Sequence, residues 1–401
     1  MKYRKMGSLD WEVSALGFGC MRLPARKFNR LKAETESSIR LIRHGIDMGI
    51  NYLDTAFYYH LGDSEKIIGK VLKNGYRDKV HLVTKLPMHI VGKPEDFDGY
   101  LERQLKRLQD DCIDIYLFHA LTNSLFEKVK KFGLLEKMEK AKKRGLIRHI
   151  GFSFHDTLPV FKKIIDYYNW DMAQVQYNYM DTGFQAGTDG LKYGHQKGIA
   201  MVVMEPLKGG RLVNPPVEAL QIMKEAKNKR TPVEWALQFL WDMPEVATVL
   251  SGMGTRQMVD ENCASADRSG IDILDLEEKK MISKLAGIYR KRIPVPCTSC
   301  NYCMPCPLGV NIPENFAILN NTAFEDTSLK RWLTKRKYRK LTGSKNKLDL
   351  ENPNGNASIC TGCNKCLENC PQSINIPDEL EKVDAILGKG HKISDYYNDT
   401  L

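Results

Sequence analysis

Short apolar and β-branched runs alternate with amphipathic stretches along most of the first 290 residues. The runs predict eight strands, at Ala15–Phe18, Asn51–Ala56, His81–Lys85, Asp114–His119, His149–Ser153, Ala173–Asn178, Ile199–Glu205 and Val246–Gly252. The stretches between them predict helices, among them Glu36–Met48, Glu65–Leu72, Leu101–Leu108, Leu134–Lys143 and Val233–Trp241. Strands that are apolar along nearly their whole length and alternate with helices indicate a parallel sheet buried on both faces.

Eight such strand–helix units within about 250 residues match an α/β architecture, the (β/α)8 TIM barrel. The alternative is a doubly wound open sheet, which carries a GxGxxG phosphate loop after its first strand. The corresponding stretch here is GFGCMR at residues 17–22, which does not fit that pattern. The sequence therefore predicts the barrel.

The character of the chain changes after about residue 290. KRIPVP at residues 291–296 reads as a proline-punctuated linker, and ENPNGN at 351–356 as a turn-rich break between two groups of cysteines. We therefore expect two domains, a barrel at residues 1–290 and a smaller, mostly helical domain at 291–401.

The net charge of +11 raises the question of nucleic-acid binding, but the excess leans on local runs such as Lys330-Arg331 and Lys335–Lys340. No finger, homeodomain or stacking motif accompanies them, so a solvated face or a docking patch for an acidic electron-transfer partner is the better interpretation. The N-terminus lacks an apolar signal region, and no stretch approaches a transmembrane span. We expect a soluble cytoplasmic protein with neither nucleic-acid nor membrane partners.

Three predicted strands end in an ionisable residue: INYLD in Asp54, HLVTK in Lys85 and DIYLFH in His119. Singly, these read as a capping aspartate, a surface lysine and a structural histidine. The active sites of such barrels lie at the C-terminal ends of the strands, so together the three groups predict a catalytic site. Tyr59 follows in the loop just above Asp54.

The stretches DTAFYY, VTK and LFH resemble the aldo-keto reductases, and GxSExxxG at residues 62–69 and IGFS at 150–153 extend the resemblance over residues 1–290. Asp54, Tyr59, Lys85 and His119 fall on the catalytic tetrad of that family. The resemblance implies an oxidoreductase that interconverts an aldehyde or ketone and an alcohol with a nicotinamide cofactor. A phenol with a pKa near 10 donates a proton poorly at neutral pH, so an ammonium beside it assists.

The resemblance also implies a set of cofactor-binding residues: Ser153, Gln174, Met204, Glu205, Gly252, Arg256, Glu261 and Asn262. Gln174 matches the glutamine that binds the nicotinamide carboxamide, and Met204 stands where the family stacks an aromatic ring. Gly252 and Met258 stand where members carry a lysine and an arginine for the 2′-phosphate, with Arg256 close enough to substitute. We expect NADP rather than NAD, and a flavin is the alternative in so altered a pocket.

Eight of the eleven cysteines form two runs, Cys297, Cys300, Cys303 and Cys306, then Cys360, Cys363, Cys366 and Cys370, each followed by proline. The second run has the spacing of bacterial ferredoxins, and the first is one residue short in its last gap. Zinc is the alternative, but zinc ribbons separate paired CxxC knuckles by long loops. The spacing predicts iron–sulfur clusters.

The cysteine region resembles a two-cluster 4Fe-4S ferredoxin domain of the α-helical type, with a weak repeat in LGVNIPE at 308–314 and SINIPDE at 373–379. In such domains the last cysteine of each run ligates the other cluster. The resemblance implies one cluster on Cys297, Cys300, Cys303 and Cys370, and the other on Cys360, Cys363, Cys366 and Cys306. Because the gap before Cys306 is one residue shorter than in ferredoxins, Cys306 is the predicted ligand that most needs a test. The alternative function is an electron carrier or redox sensor that uses the barrel as a scaffold.

Overall fold

The structure is a computed structural model that describes residues 1–26, 29–322, 328–341 and 355–397. Eight parallel strands close into a barrel, as the sequence predicts. In chain order they are β3 (Leu16–Gly19), β6 (Tyr52–Asp54), β7 (His81–Leu86), β8 (Ile113–Leu121), β9 (Ile147–Phe154), β10 (Met172–Gln176), β11 (Ala200–Met204) and β12 (Val246–Ser251).

Two short hairpins accompany the barrel: β1 (Tyr3–Lys5) with β2 (Glu12–Ser14), and β4 (Ala25–Arg26) with β5 (Asn29–Ala33). The described helices are α1 (Thr35–Asp47), α2 (Asp63–Val71), α3 (Asp96–Leu108), α4 (Asn123–Lys131), α5 (Leu134–Lys143), α6 (Leu158–Ile165), α7 (Gly187–Gln196), α8 (Val217–Glu225), α9 (Pro232–Trp241), α10 (Arg256–Asp267), α11 (Leu276–Arg292), α12 (Ile312–Thr322), α13 (Ser328–Arg339) and α14 (Ile376–Val383).

All eight predicted strands form, and each observed bound lies within two residues of the predicted one. The predicted strand Asn51–Ala56 is shortened to Tyr52–Asp54. After Asp54 the chain turns into a loop, although the Thr55 N–H still reaches the Val83 carbonyl at 2.9 Å. The loop residues above Asp54 therefore remain fastened to the neighbouring strand.

The barrel interior places side chains from several strands in register. Tyr52, Val83 and Leu117 belong to one buried cluster, which the β1–β2 hairpin completes with Met6 and Val13. The three strand residues stand two positions before Asp54, Lys85 and His119, respectively. Because side chains alternate between faces with a period of two, those ionisable groups also point into the barrel.

By its internal packing the chain divides into two compact units. The first comprises Met1–Leu207 and Val233–Leu276, and the second Lys208–Pro232 and Glu277–Leu401. The second unit is mostly helical, as predicted, and has its own buried core, which includes Val310, Phe316 and Leu380. No described helix is long and apolar enough to cross a membrane.

The weak repeat noted in the sequence marks two equivalent helix starts. NIPE begins α12 at Ile312, and NIPD begins α14 at Ile376. In both, an asparagine precedes the helix and a proline follows in its first turn, where a missing N–H costs no helical hydrogen bond. The Asn311 side chain accepts a hydrogen bond from the Glu314 N–H at 3.4 Å, as a helix-capping residue does.

Candidate active site and cysteine clusters

Lys85 and Asp54 form a buried ion pair where β7 and β6 end. The Lys85 Nζ lies 2.7 Å from both carboxylate oxygens of Asp54 and 2.8 Å from the Thr55 carbonyl. Burial lowers the pKa of Lys85 and raises that of Asp54, and their mutual attraction opposes both shifts. These three oxygens hold the ammonium in one place.

Tyr59 presents its hydroxyl to this ammonium, at 3.5 Å from the Lys85 Nζ. Its ring also lies edge-on to that of His119, with centroids 6.0 Å apart. The neighbouring Tyr58 differs, because its hydroxyl donates to the Pro87 carbonyl at 3.3 Å and burial raises its pKa. The structure thus brings the four predicted catalytic residues together, and of the two adjacent tyrosines it is Tyr59 that contacts the cation.

A backbone irregularity directly after His119 determines how the end of β8 is held. The pairing of β8 with β9 shifts register between Phe118 and Leu121, and Ala120 has a left-handed φ of 56°. The Ala120 N–H donates to the Ser153 hydroxyl at 2.7 Å. Ser153, predicted to bind cofactor, therefore also fastens the turn that carries His119.

His119 is neutral at physiological pH in this surrounding. Burial, followed by the charge of Lys85, holds the pKa of its imidazole well below the ordinary value. A neutral imidazole carries one N–H, so it can donate a hydrogen bond to a carbonyl oxygen without bringing a second charge to the site.

A buried polar network lies behind Lys85 and explains the GxSExxxG motif. Glu65 accepts hydrogen bonds from Thr84 at 2.8 Å, Gln104 at 2.6 Å and Arg107 at 2.9 Å. Gln104 also donates to the Lys85 carbonyl at 3.1 Å. A Cβ on Gly62 would lie 2.9 Å from the Arg107 guanidinium carbon, so the motif's first glycine makes room for that cation.

Sequence reasoning did not assign Gln104 and Arg107 to the site. Phe97, Leu101, Gln104 and Leu108 are the buried residues of α3. A polar residue in an otherwise apolar helical stripe was the available signal, since buried amides need hydrogen-bond partners.

The predicted nicotinamide subsite contains an unsatisfied acceptor. Gln174 lies beside Ser153 in the register of β10 with β9, and its Nε2 reaches the Met204 sulfur at 3.5 Å. Its Oε1 is buried and has no hydrogen-bond partner among the described residues. A buried amide oxygen of this kind fits the N–H₂ of a nicotinamide carboxamide. Glu205 follows with a left-handed φ of 57° and offers its carbonyl to Asn178 at 3.1 Å.

The residues predicted to bind the adenine end of the cofactor lie between the end of β12 and the middle of α10. Arg256 is 76% exposed, with only a 3.8 Å contact to Asp260. Glu261 accepts from Gln257 at 2.8 Å, whereas Asn262 is buried and donates to Ser251 at 3.1 Å. The side chain of exposed Arg22 packs against Gly252, whose Cβ would lie 3.1 Å from that of Arg22. The sequence pattern carries no signal that would place Arg22 beside Gly252.

The cysteine runs interleave in the second unit. Burial raises the pKa of the Cys303 thiol, and the charges of Cys300, Cys297, Cys370 and, more weakly, Cys366 add to the shift. Cys297, Cys300, Cys303 and Cys370 also line one small cavity, so Cys370 of the second run stands with the first three cysteines.

Cys366 shows the complementary arrangement. Burial, with the nearby thiols of Cys360, Cys306 and Cys363, raises its pKa to about 11. Cys306 of the first run therefore lies near Cys366 of the second. The shortened gap before Cys306 does not keep its thiol away from Cys366.

Four thiolates are the ligand set of a zinc ion or of a four-iron cluster. Among the described residues, no three histidine, cysteine or acidic side chains converge closely enough to hold one ion. Zinc binds its sulfurs at about 2.3 Å in one tetrahedron, whereas each cysteine of a four-iron cluster binds a different iron. A group of four thiols around one small cavity fits a four-iron cluster.

Comparison with known proteins agrees with both units. The model of the aldo/keto reductase family matches residues 15–278, and that of a 4Fe-4S dicluster domain matches residues 296–375. YqkF, an uncharacterized oxidoreductase of Bacillus subtilis, is 26% identical over 300 residues, which are 67% of this chain and 92% of that protein.

Solved structures match the barrel at similar identity. The holo form of aldo-keto reductase AKR11C1 from Bacillus halodurans aligns with a TM-score of 0.60 and 28% identity, covering 71% of this chain and 96% of that one. An aldo-keto reductase from Klebsiella pneumoniae in complex with NADPH aligns with a TM-score of 0.59 and 25% identity, covering 71% and 95%. This chain belongs to the aldo/keto reductase family and is an oxidoreductase with a 4Fe-4S domain.

Proposed function

We propose that the protein interconverts a small aldehyde or ketone and the corresponding alcohol with NADPH, using Asp54, Tyr59, Lys85 and His119. The observation that carries the proposal is the 3.5 Å contact between the Tyr59 hydroxyl and an ammonium that Asp54 holds from the other side. A barrel that served only as a scaffold would not need these four residues in contact. Their arrangement, together with membership of a family of enzymes, disfavours the non-catalytic carrier.

The chain's residues divide the work of carbonyl reduction. Bound NADPH supplies the hydride. As negative charge develops on the carbonyl oxygen, Tyr59 donates its proton there, and the Lys85 ammonium stabilises the phenolate that remains. His119, neutral and at the same mouth, orients the oxygen by donating a hydrogen bond.

Cofactor choice is the part of the proposal that a binding experiment tests directly. NADPH and NADH are titrated separately by fluorescence into the wild-type protein and the Arg256→Gln variant, with FMN as a third ligand. We expect wild type to prefer NADPH and the variant to lose about tenfold in NADPH affinity with NADH unchanged, since a charged hydrogen bond contributes about 1.5–3 kcal/mol. Absence of binding by both nicotinamides would refute the proposal, and tight FMN binding would favour the flavin alternative.

The second unit, in this proposal, holds two 4Fe-4S clusters on the two interleaved groups of cysteines. We also propose a domain boundary near residue 290, in the gap between the two family matches, which end at 278 and begin at 296. The compact unit that contains the cysteines also includes residues 208–232, which the sequence assigns to the barrel.

We infer further that the clusters exchange electrons with an acidic protein carrier. A hydride moves two electrons together while each cluster accepts one, so nicotinamide alone should reduce the clusters slowly. The outer side of α13 offers a docking surface: Trp332 and Leu333 are 55% and 49% exposed, and Arg336 and Arg339 are exposed beside them. The Arg336 guanidinium carbon lies 5.5 Å from the Trp332 ring centroid.

The inner side of α13 packs into the hydrophobic core of the second unit. Tyr338 is buried there and donates to Asp384 at 2.8 Å. Cysteines of both runs pack against the same core, so α13 has one face in the cysteine-containing core and a basic face outside. A basic surface with an apolar centre is complementary to an acidic one-electron carrier.

Stopped-flow reduction by an acidic low-potential ferredoxin tests this surface. The double variant Arg336→Glu/Arg339→Glu should slow the second-order rate about tenfold at low salt and flatten its salt dependence, because electrostatic steering is lost. Lys143→Glu/Arg144→Glu, with the same charge change on exposed barrel residues, is the matched control. The docking site would be contradicted if both double variants slowed the rate equally, or if the first double variant had no effect. Binding of the protein through α13 to anionic vesicles, in place of the carrier, would also contradict it.

A further inference from the structure

Arg211 contacts the first cysteine of the first run from within the same compact unit. It lies in a short helical segment, Lys208–Val213, and its Nε and Nη2 donate to the Cys297 carbonyl at 3.1 and 3.0 Å. Both hydrogen bonds go to one oxygen. The guanidinium is therefore fixed in direction beside a proposed cluster ligand.

The backbone of this segment approaches the cysteine loop closely. Gly209 has a left-handed φ of 66°, and a Cβ there would lie 2.5 Å from the Thr298 carbonyl oxygen. Any larger residue would push the two segments apart. Gly209 thus permits the contact that brings Arg211 to Cys297.

Arg211 is a half-buried cation. Within the described ranges, no acidic side chain makes an ion pair with it, and its guanidinium donates two hydrogen bonds to the Cys297 carbonyl. Burial lowers the pKa of its guanidinium and the nearby Cys297 thiol raises it, but a guanidinium stays protonated throughout. A half-buried cation held in a fixed position is stabilised by a nearby anion, and the guanidinium is held on the side of Cys297.

We propose that Arg211 supplies the counter-charge to the cluster that Cys297 ligates and thereby raises its reduction potential. The inference rests on the proposed ligation by Cys297, Cys300, Cys303 and Cys370. A cluster held by four thiolates is anionic, and one-electron reduction adds one negative charge without making or breaking a bond. A fixed cation nearby stabilises the reduced form more than the oxidised form, because net charge and local electrostatics set cluster potentials.

The test is an anaerobic redox titration followed by EPR, with dithionite and mediators and with neither nicotinamide nor carbonyl substrate. Arg211→Gln keeps a hydrogen-bond donor and removes the charge, whereas Arg211→Lys keeps the charge. In Arg211→Gln we expect the ratio of reduced to oxidised cluster at a fixed potential to fall about tenfold for one of the two couples, which is 59 mV for one electron. Arg211→Lys should stay within about threefold of wild type. Arg290→Gln, at an exposed arginine of the same unit, is the control and should change nothing.

Two results would overturn the proposal: an Arg211→Gln protein with full iron and an unshifted potential, or a shift in Arg211→Lys as large as in Arg211→Gln. The second would show that the shape of the guanidinium matters and its charge does not. If Arg211→Gln loses its cluster, the test rests on the reduction potential of Arg211→Lys. A ratio of reduced to oxidised cluster within about threefold of wild type supports the proposal, and a larger change contradicts it. Wild-type protein without iron would instead refute the proposed clusters, so the two failures are distinguishable.

Discussion

Replacing Tyr59 with phenylalanine should lower the rate of carbonyl reduction by about a hundred- to ten-thousand-fold, the range typical of general acid catalysis. The substitution removes one oxygen, which lies 3.5 Å from the Lys85 ammonium, and leaves the ring that packs edge-on to His119. NADPH affinity should stay unchanged, because the hydroxyl donates its proton to the substrate. The measurement is steady-state kinetics with a panel of aldehydes, together with a cofactor titration of the same protein.

Tyr58→Phe is the matched control for that variant. The Tyr58 hydroxyl donates to the Pro87 carbonyl, and the residue adjoins His119 without sharing the contact to the cation. Its loss should change turnover by no more than a few-fold. Turnover that survives in Tyr59→Phe but collapses in Tyr58→Phe would exchange the two roles, and turnover unaffected in both would remove the phenols from the mechanism.

Loss of a single cysteine should halve the iron content of the protein. Two four-iron clusters carry about eight irons per chain, so Cys306→Ser and Cys370→Ser should each leave about four. The reason is that each thiolate completes the ligand set of one cluster, which is not retained stably on three cysteines. Anaerobic purification followed by iron and sulfide analysis gives the result, and zinc in place of iron would refute the assignment.

Double variants distinguish the interleaved ligand sets from two independent runs. With Cys366 beside Cys306, the double variant Cys306→Ser/Cys366→Ser should lose no more iron than Cys366→Ser alone. Cys303→Ser/Cys306→Ser should lose nearly all of it, because those two cysteines serve different clusters. The opposite pair of results would show that each run ligates its own cluster.

The hydrophobic pattern of the sequence was sufficient to predict the barrel and the position of its candidate site. Strands buried on both faces are apolar along their length, so an ionisable residue at a strand end is conspicuous. Asp54, Lys85 and His119 were found in this way, and the period of two then directs them into one interior. Family resemblance added Tyr59 and the cofactor residues, whose roles stay predictions.

Local sequence also predicted which cysteines belong to clusters, because ferredoxin spacing is written within ten or eleven consecutive residues. The pairing across the runs came from resemblance, and the neighbours of Cys303 and Cys366 in the folded chain support it. The two cysteine runs could be predicted because each depends on residues that are close in sequence.

The tertiary structure alone decided the contacts between residues that are distant in sequence. The left-handed turn at Ala120 is held by Ser153, thirty-three positions away, and Gln104 and Arg107 reach Glu65 across helices. Arg211 meets Cys297 at a separation of 86 residues. Composition and periodicity carry no information on such pairs, since burial makes a polar group require a partner without specifying which one. The sequence by itself thus determined the barrel, the ionisable residues at the strand ends and the cysteine runs. Folding decided which distant side chains contact these residues and hold them in position.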